Sequence, residues 1–441
     1  MNNWIAKNIV YKFIEQVRGE QVSKHLKYIA HIPFLSHDEL KQLQAEKLTH
    51  TIKNAYKNIP FYKKLYDESG LDIKNFSFPD DIEKLPVITK QTVRTNYKNL
   101  KNNYIRVRVS KETTSGTSGN PFTVLKDRER SAHLRAVMYR CYRQHGIDIG
   151  DKQARFWGVP IKKNEFWLEN LKDLLANRIR ISAFNLGNKE LQQYVKKIRR
   201  FKPIYIYGYP STIYRFSQWL NENDIFLKGL NFAAIITTGE VLYPSQRKLI
   251  ESVFNCRIAN EYGTTEAGVL AFECKKNNMH INMDHVFIEQ VSAPNLNGNG
   301  RIVITELNNQ YNPLIRYDVG DIGFISNKSC SCGINFHVLD NLVGRDSTNI
   351  VTPDGHFVND GILEYVLQDG IRQFQGFQKD SNELLIKIVK GKDFTDKKLD
   401  MYLKEFRRFL GKKINIKIEF VHKIEPEKSG KLRYFVSNLL C

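Results

Sequence analysis

The chain has 441 residues, and its 67 lysines and arginines against 47 acidic residues give a formal charge of +20. Hydrophobic residues at 41 % and aromatics at 12 % exclude a disordered polymer, and no apolar run reaches the ~18 to 20 residues that span a bilayer. Six cysteines are too few for a secreted disulfide framework.

The start, MNNWIAKNIVYKFIEQVRGEQVSKHL, has a helical period with charges throughout and lacks the unbroken apolar core of a signal peptide, so a cytoplasmic protein is expected. A basic surface attracts nucleic acid, anionic lipid or a polyanionic small substrate such as a nucleotide. No helix-turn-helix, aromatic ribonucleoprotein motif or zinc-finger pair points to nucleic acid, which is not expected as a partner. The lysines are spread along the chain and read as a solvated surface. A weak contact of the first helix with the inner membrane leaflet stays open.

Residues 1–100 read as mostly helical. LTHTIKNAYKNIPFYKKLYDESGL repeats apolar residues at helical spacing until Pro60 interrupts it, and LPVITKQTVRTNY begins as a strand-like run before Thr89 offers a helix cap. The loop Thr113 to Pro121 follows. Gly116 and Gly119 let backbone approach phosphate oxygens, and Thr114, Ser115, Thr117 and Ser118 offer hydroxyl donors. No Gly-x4-Gly-Lys-Ser/Thr pattern is present, so this is not a Walker loop.

Strand-like and helical segments then alternate through FTVLKD, SAHLRAVMYRCYRQHG, ARFWGV, LQQYVKKIRR, PIYIYGYP, STIYRFSQWLNEN, FAAIITTGE and SQRKLIESVF. Such alternation predicts an α/β domain of mixed sheets and helices with at least one largely parallel sheet. From about 286 the chain turns strand-rich, with VFIEQV and GRIVITEL. Beyond Gly344-Arg345 it mixes short strands and helices, as in ELLIKIVKG, KKLDMYLKEFRRFLG and INIKIEFV. A boundary there divides the chain into a large α/β domain, 1–345, and a small α+β domain, 346–441.

Cys274-x5-His280 and Cys330-Ser331-Cys332-Gly333 supply three thiolates and one imidazole, a donor set for a structural tetrahedral Zn²⁺. Cys141, Cys256 and Cys441 have no such neighbours in sequence.

The ordered series NAYKNIPFYKKLYDESG, LPVITKQTVRTNY, TTSGTSGNPF, YGYPS, TTGE (237 to 240), EYGTTEAG (261 to 268), PLIRYDVGD (313 to 321), Gly344-Arg345 and SGKLR (429 to 433) resembles the adenylate-forming superfamily. Within it the chain is most similar to the phenylacetate–coenzyme A ligase family, including its capsular-polysaccharide branch. The resemblance covers nearly the whole length. It implies a large domain holding ATP and a small mobile domain that rotates between two half-reactions. A carboxylate attacks the α-phosphorus, pyrophosphate leaves, and the acyl group passes from the adenylate to an acceptor.

On these motifs the resemblance assigns catalysis to Lys431, Thr264 and Glu266, with Glu266 also holding Mg²⁺. It assigns nucleotide binding to Thr114, Ser115, Gly116, Thr117, Ser118, Gly119, Gly239, Glu240, Tyr262, Gly263, Thr265, Asp321 and Arg345. Tyr262 stacks on adenine, Thr264 or Thr265 donates to the α-phosphate, and Asp321 accepts from ribose hydroxyls. Trp157, Tyr207, Tyr209 and Pro210 are candidates for the acid pocket. Cofactors are therefore ATP and Mg²⁺, with Zn²⁺ as a structural addition; the partners are a small-molecule carboxylate and an acceptor. Acidic residues are usual soon after the Gly-Arg pair, where the domain hinge lies, yet Ser347 and Thr348 occupy those places beyond Asp346, and VTPDGHFV replaces the glycine-rich loop for the pantetheine arm. Coenzyme A as acceptor is thus one alternative, transfer to an amine or hydroxyl another. A non-catalytic capsule assembly factor is a third.

Overall fold

Helices fill residues 1–100, and the signals that start and stop them are local. Ser36 caps His37–Asn58 through a capping box: its hydroxyl accepts from the Glu39 amide at 3.3 Å while Glu39 Oε2 accepts from the Ser36 amide at 2.8 Å. That helix stops before Pro60, which opens Pro60–Glu68. Thr89 caps Lys90–Thr95, and the strand-like run ahead of it is reduced to a bridge between Ile88 and Tyr317. The computed structural model describes every residue except 114–122, 158–165, 184–185, 293–298, 346–348, 355–356, 368–369, 392, 428–431, 438 and 440–441.

An eleven-stranded sheet organises the chain up to Arg345. Its parallel half runs Ile258–Thr264, Ala234–Thr238, Tyr205–Gly208, Gln153–Trp157, Arg178–Ser182. Helices such as Asn188–Phe201, Pro210–Glu222 and Pro244–Phe254 lie between these strands in sequence, as parallel pairing requires. The other half, from Gly268–Glu273 out to Val286–Ser292, is antiparallel throughout. The sheet is therefore mixed: among the described residues the strands from Gly268 to Arg345 follow one another with no helix between them.

Register sorts the side chains by face. Arg155, Tyr207, Ile236 and Ala259 align across adjacent strands, on the face covered by the helix Arg128–Arg143 through Ala132, Ala136, Val137 and Tyr142. Phe156, Ile206, Ile235 and Ile258 turn to the other face and a second core. A third core, with Ile350, Leu363, Ile386, Tyr402, Phe406 and Phe435, lies under a four-stranded sheet of Asn415–Phe420, Glu383–Lys390, Ile371–Asp380 and Phe435–Ser437. The helix Asp396–Leu410, capped by Thr395, packs on it.

Candidate active site and metal cluster

The EYGTTEAG segment folds as the hairpin joining Ile258–Thr264 to Gly268–Glu273. A Cβ at Gly263 would lie 2.4 Å from the Gly268 carbonyl oxygen, so the turn admits only glycine there. Thr264 Oγ1 accepts from the Ala267 amide at 3.0 Å. The Glu266 carbonyl accepts from the Arg130 guanidinium, which also donates through Nε to Glu306 Oε1 at 2.8 Å. Arg130 and Glu306 are each 1 % exposed. The Glu266 carboxylate, itself buried, has no hydrogen bond or ion pair among the described residues. A buried carboxylate left over in this way fits a hard cation such as Mg²⁺. Thr265 stands exposed at the hairpin tip.

Tyr262 donates its hydroxyl to Asp321 Oδ2 at 2.7 Å, which joins two motifs far apart in sequence. Asp321 lies opposite Arg345 in the strand register; the Arg345 side chain falls outside the described residues. So do Thr114, Ser115, Gly116, Thr117, Ser118, Gly119 and Lys431. The ends of the hydroxyl- and glycine-rich loop are nevertheless fixed: Thr113 pairs with Thr123 across two antiparallel strands, and Asp127 then caps the helix Arg128–Arg143.

Beyond the strand Ala234–Thr238, Gly239 takes a left-handed φ of 78° and presents Glu240. This carboxylate binds protein on both sides. Oε2 accepts from the Ser211 amide at 3.0 Å, at the start of the helix Pro210–Glu222, and Oε1 accepts from the Leu432 amide at 2.9 Å. Glu240, expected to touch nucleotide, thus holds the chain next to Lys431. Tyr434 follows: its hydroxyl accepts from Gln246 Nε2 at 2.7 Å. Its ring meets Tyr243 at 5.3 Å and Phe374 at 5.1 Å.

Three of the residues expected to line the acid pocket come together where the parallel strands end, the place open α/β sheets reserve for ligands. Trp157 stacks on Tyr209 with ring centroids 4.3 Å apart and on Tyr207 at 5.6 Å; Pro210 opens the helix after Tyr209. Two charged residues that sequence reasoning passed over stand beside them. Arg155 lies with Cζ 4.5 Å from the Trp157 ring centre. Glu261 is buried and accepts from Tyr142 at 3.0 Å and Tyr207 at 3.3 Å; burial pushes its pKa up, and these hydroxyls offset only part of that rise. Neighbouring Arg178 and Arg180 pair with Asp173 and Glu169. Arg155 has no carboxylate in ion-pair range among the described residues, and its Nε is buried without a hydrogen-bond partner. A charge inside an otherwise apolar strand, as in ARFW and NEYG, was the available signal.

The cysteine and histidine motifs meet elsewhere in the fold. Ligand atoms of Cys274, His280, Cys330 and Cys332 all lie within 4.8 Å of one another. Cys274 Sγ is 3.8 Å from Cys330 Sγ and Cys332 Sγ is 3.3 Å from His280 Nε2, close to the ~3.8 Å edge of a tetrahedron with ~2.3 Å zinc–sulfur bonds. His280 Nδ1 donates to the Phe336 carbonyl at 3.0 Å, which turns the Nε2 lone pair toward the thiols. The donors are soft and the group is compact, so the residues fit Zn²⁺ and not a hard cation.

Comparison with known proteins agrees with this arrangement. A family model described as the CapK C-terminal domain matches residues 350–438. Protein CapK of Staphylococcus aureus is 26 % identical over 420 residues, covering 91 % of this chain and 90 % of that protein. A phenylacetate-coenzyme A ligase of Thermus thermophilus is 24 % identical over 336 residues, 74 % of each. In fold, the chain superposes on a crystal structure of 2-hydroxyisobutyryl-CoA ligase in its postadenylation state with a TM-score of 0.74, at 17 % identity, covering 92 % of this chain and 91 % of the other. The motif order, the hairpin and tail geometry around the strand ends and relatives of both kinds point the same way: the chain is a CapK-like relative of the phenylacetate–coenzyme A ligases.

Proposed function

We propose that the chain activates a carboxylic acid with ATP and hands the acyl group to an acceptor during synthesis of a surface polysaccharide. The observation that carries this is Glu240: it draws Leu432, next to Lys431, against the strand ends where Tyr262, Asp321 and the acid pocket lie. In the first step a carboxylate oxygen bonds to the α-phosphorus, and the bond to pyrophosphate breaks with its electron pair leaving on pyrophosphate. Lys431, a point charge on the tail of the 346–441 portion, offsets charge on the α-phosphate and the incoming carboxylate. Glu266 would hold Mg²⁺, which when bound neutralises phosphate oxygens. Thr264, its oxygen already accepting from Ala267, keeps its hydroxyl proton for an acceptor atom such as an α-phosphate oxygen. Asp321, an acceptor held in place by the Tyr262 hydroxyl, would accept from the ribose hydroxyls.

In the second step an acceptor nucleophile attacks the acyl carbon and AMP departs. The relatives named as coenzyme A ligases favour a thiol acceptor. The polysaccharide setting follows the name of the CapK relative and suits an amine or hydroxyl. The four-ligand cluster is read as a structural Zn²⁺ site that ties the Cys274 turn to the Cys330 turn.

ATP–pyrophosphate exchange screened over carboxylic acids tests the first step. Wild-type protein should exchange with at least one acid, and Lys431→Ala should abolish that exchange. Exchange that survives in Lys431→Ala would remove the catalytic assignment. Thiol consumption in the presence of coenzyme A separates the acceptors.

A further inference from the structure

Two helices leave their apolar sides in water. Residues 3–18 form one helical rod, with a π-helical stretch at Ala6–Val10. Along it Ile9, Phe13 and Val17 recur every four residues at 54 %, 64 % and 63 % exposure, with Trp4 at 64 % nearer the start. The helix Phe166–Leu175 likewise bares Trp167 at 69 % and Leu174 at 62 %. The two meet: Asn177, just past the second helix, donates to Asn3 Oδ1 at 3.5 Å and to the Gly150 carbonyl at 2.7 Å.

The rod is not a frayed end. Asn3 donates to Asp151 at 2.9 Å, Lys7 pairs with Asp148 at 2.5 Å, and Ala6 is buried. A Cβ on Gly150 would come within 2.6 Å of the Lys7 backbone nitrogen. Its inner side is locked to the body while its outer side stays bare, and a fixed, contiguous apolar face marks an interaction surface.

Charge identifies the occupant. Lys12 and Arg18 are exposed on the same rod, and the chain as a whole carries +20. A second copy would bring the same positive surface against this one, whereas an anionic bilayer complements it. Aromatic and aliphatic residues on one side with lysine and arginine nearby are the composition of helices that lie in the headgroup layer. Among the described residues no helix is long and apolar enough to cross a membrane, so the contact is with the surface. We infer that this face docks the protein on the surface of an anionic lipid bilayer, with both helices lying flat at the boundary of headgroups and acyl chains.

Vesicle flotation with the full chain tests this. Protein should float with phosphatidylglycerol–phosphatidylcholine vesicles, much less with phosphatidylcholine alone or in high salt, and tryptophan emission should shift to the blue. The pairs Phe13→Ser with Val17→Ser and Trp167→Ser with Leu174→Ser should each lower partitioning by about ten-fold or more. Lys12→Glu should lower it at least about five-fold. All should keep the parent's unfolding midpoint and pyrophosphate exchange. Failure of the parent chain to float with phosphatidylglycerol vesicles overturns the inference, as does unchanged flotation of both serine pairs. A lipid-free dimer that Phe13→Ser with Val17→Ser dissolves would give the face to a second copy instead.

Discussion

Glu240 and Leu432 are joined by a 2.9 Å hydrogen bond across nearly two hundred residues, and the same carboxylate holds the Ser211 amide at 3.0 Å. A single side chain thereby sets where the chain beside Lys431 rests. Glu240→Ala leaves both amides without it. Hydrogen bonds to a charged acceptor contribute ~1.5–3 kcal/mol each, so acid-dependent pyrophosphate exchange should slow about ten- to a hundred-fold. The unfolding midpoint should fall by several degrees through loss of the same two bonds. An unaltered exchange rate would show that Leu432 is placed by other contacts.

Arg155 determines the next expectation. Its buried, unpartnered Nε beside Trp157 and Tyr207 calls for an acceptor group on the bound acid, because an unmet buried donor costs ~1–3 kcal/mol. Arg155→Met should therefore lower kcat/KM about ten-fold or more for acids bearing a second carboxylate or hydroxyl. Acids with a plain hydrocarbon tail should lose little. Equal losses for both groups would assign Arg155 to holding the sheet.

Acidification should lower stability through two buried histidines. His133 and His285 are buried, their rings 5.5 Å apart, and burial drives both pKa values below the usual histidine value, His133 the further. The folded protein keeps them neutral while the unfolded chain takes up protons near pH ~6.5. Their contribution is complete above that pH and is lost as pH drops toward the folded pKa values, by ~1.4 kcal/mol per pH unit for each histidine. Denaturant midpoints measured across the mildly acid range should decline, and His133→Gln should flatten the slope. A flat profile in the wild type would contradict this.

Elemental analysis of purified protein should find zinc at about one atom per chain. Cys332→Ser or prolonged chelation should remove it and lower the unfolding midpoint, with ATP affinity little changed because the cluster is apart from the Tyr262–Asp321 pair. Protein free of zinc with an undiminished midpoint would exclude the structural role.

Much of this molecule could be read from local chemistry. Ser36 and Glu39, Pro60 and Thr89 mark helix ends through bonds that span only a few residues, and the two cysteine–histidine motifs carry their turns with them. The antiparallel half of the sheet was harder, because short strands without intervening helices do not declare their partners. Arg155 and Glu261 went unnoticed for a similar reason. Residues 155, 207 and 261 come together only through strand register, a nonlocal property that no window of sequence contains. Glu240 was recognisable as part of a motif, while its role as a double amide acceptor required the fold.

Tyr434 sets a further term. Wedged between Tyr243 and Phe374 and tied to Gln246, it pins the chain that follows Lys431 to the helix Pro244–Phe254. Contacts of this kind contribute ~0.5–1.5 kcal/mol apiece, so moving the tail away from Tyr243 and Gln246 would cost only a few kcal/mol.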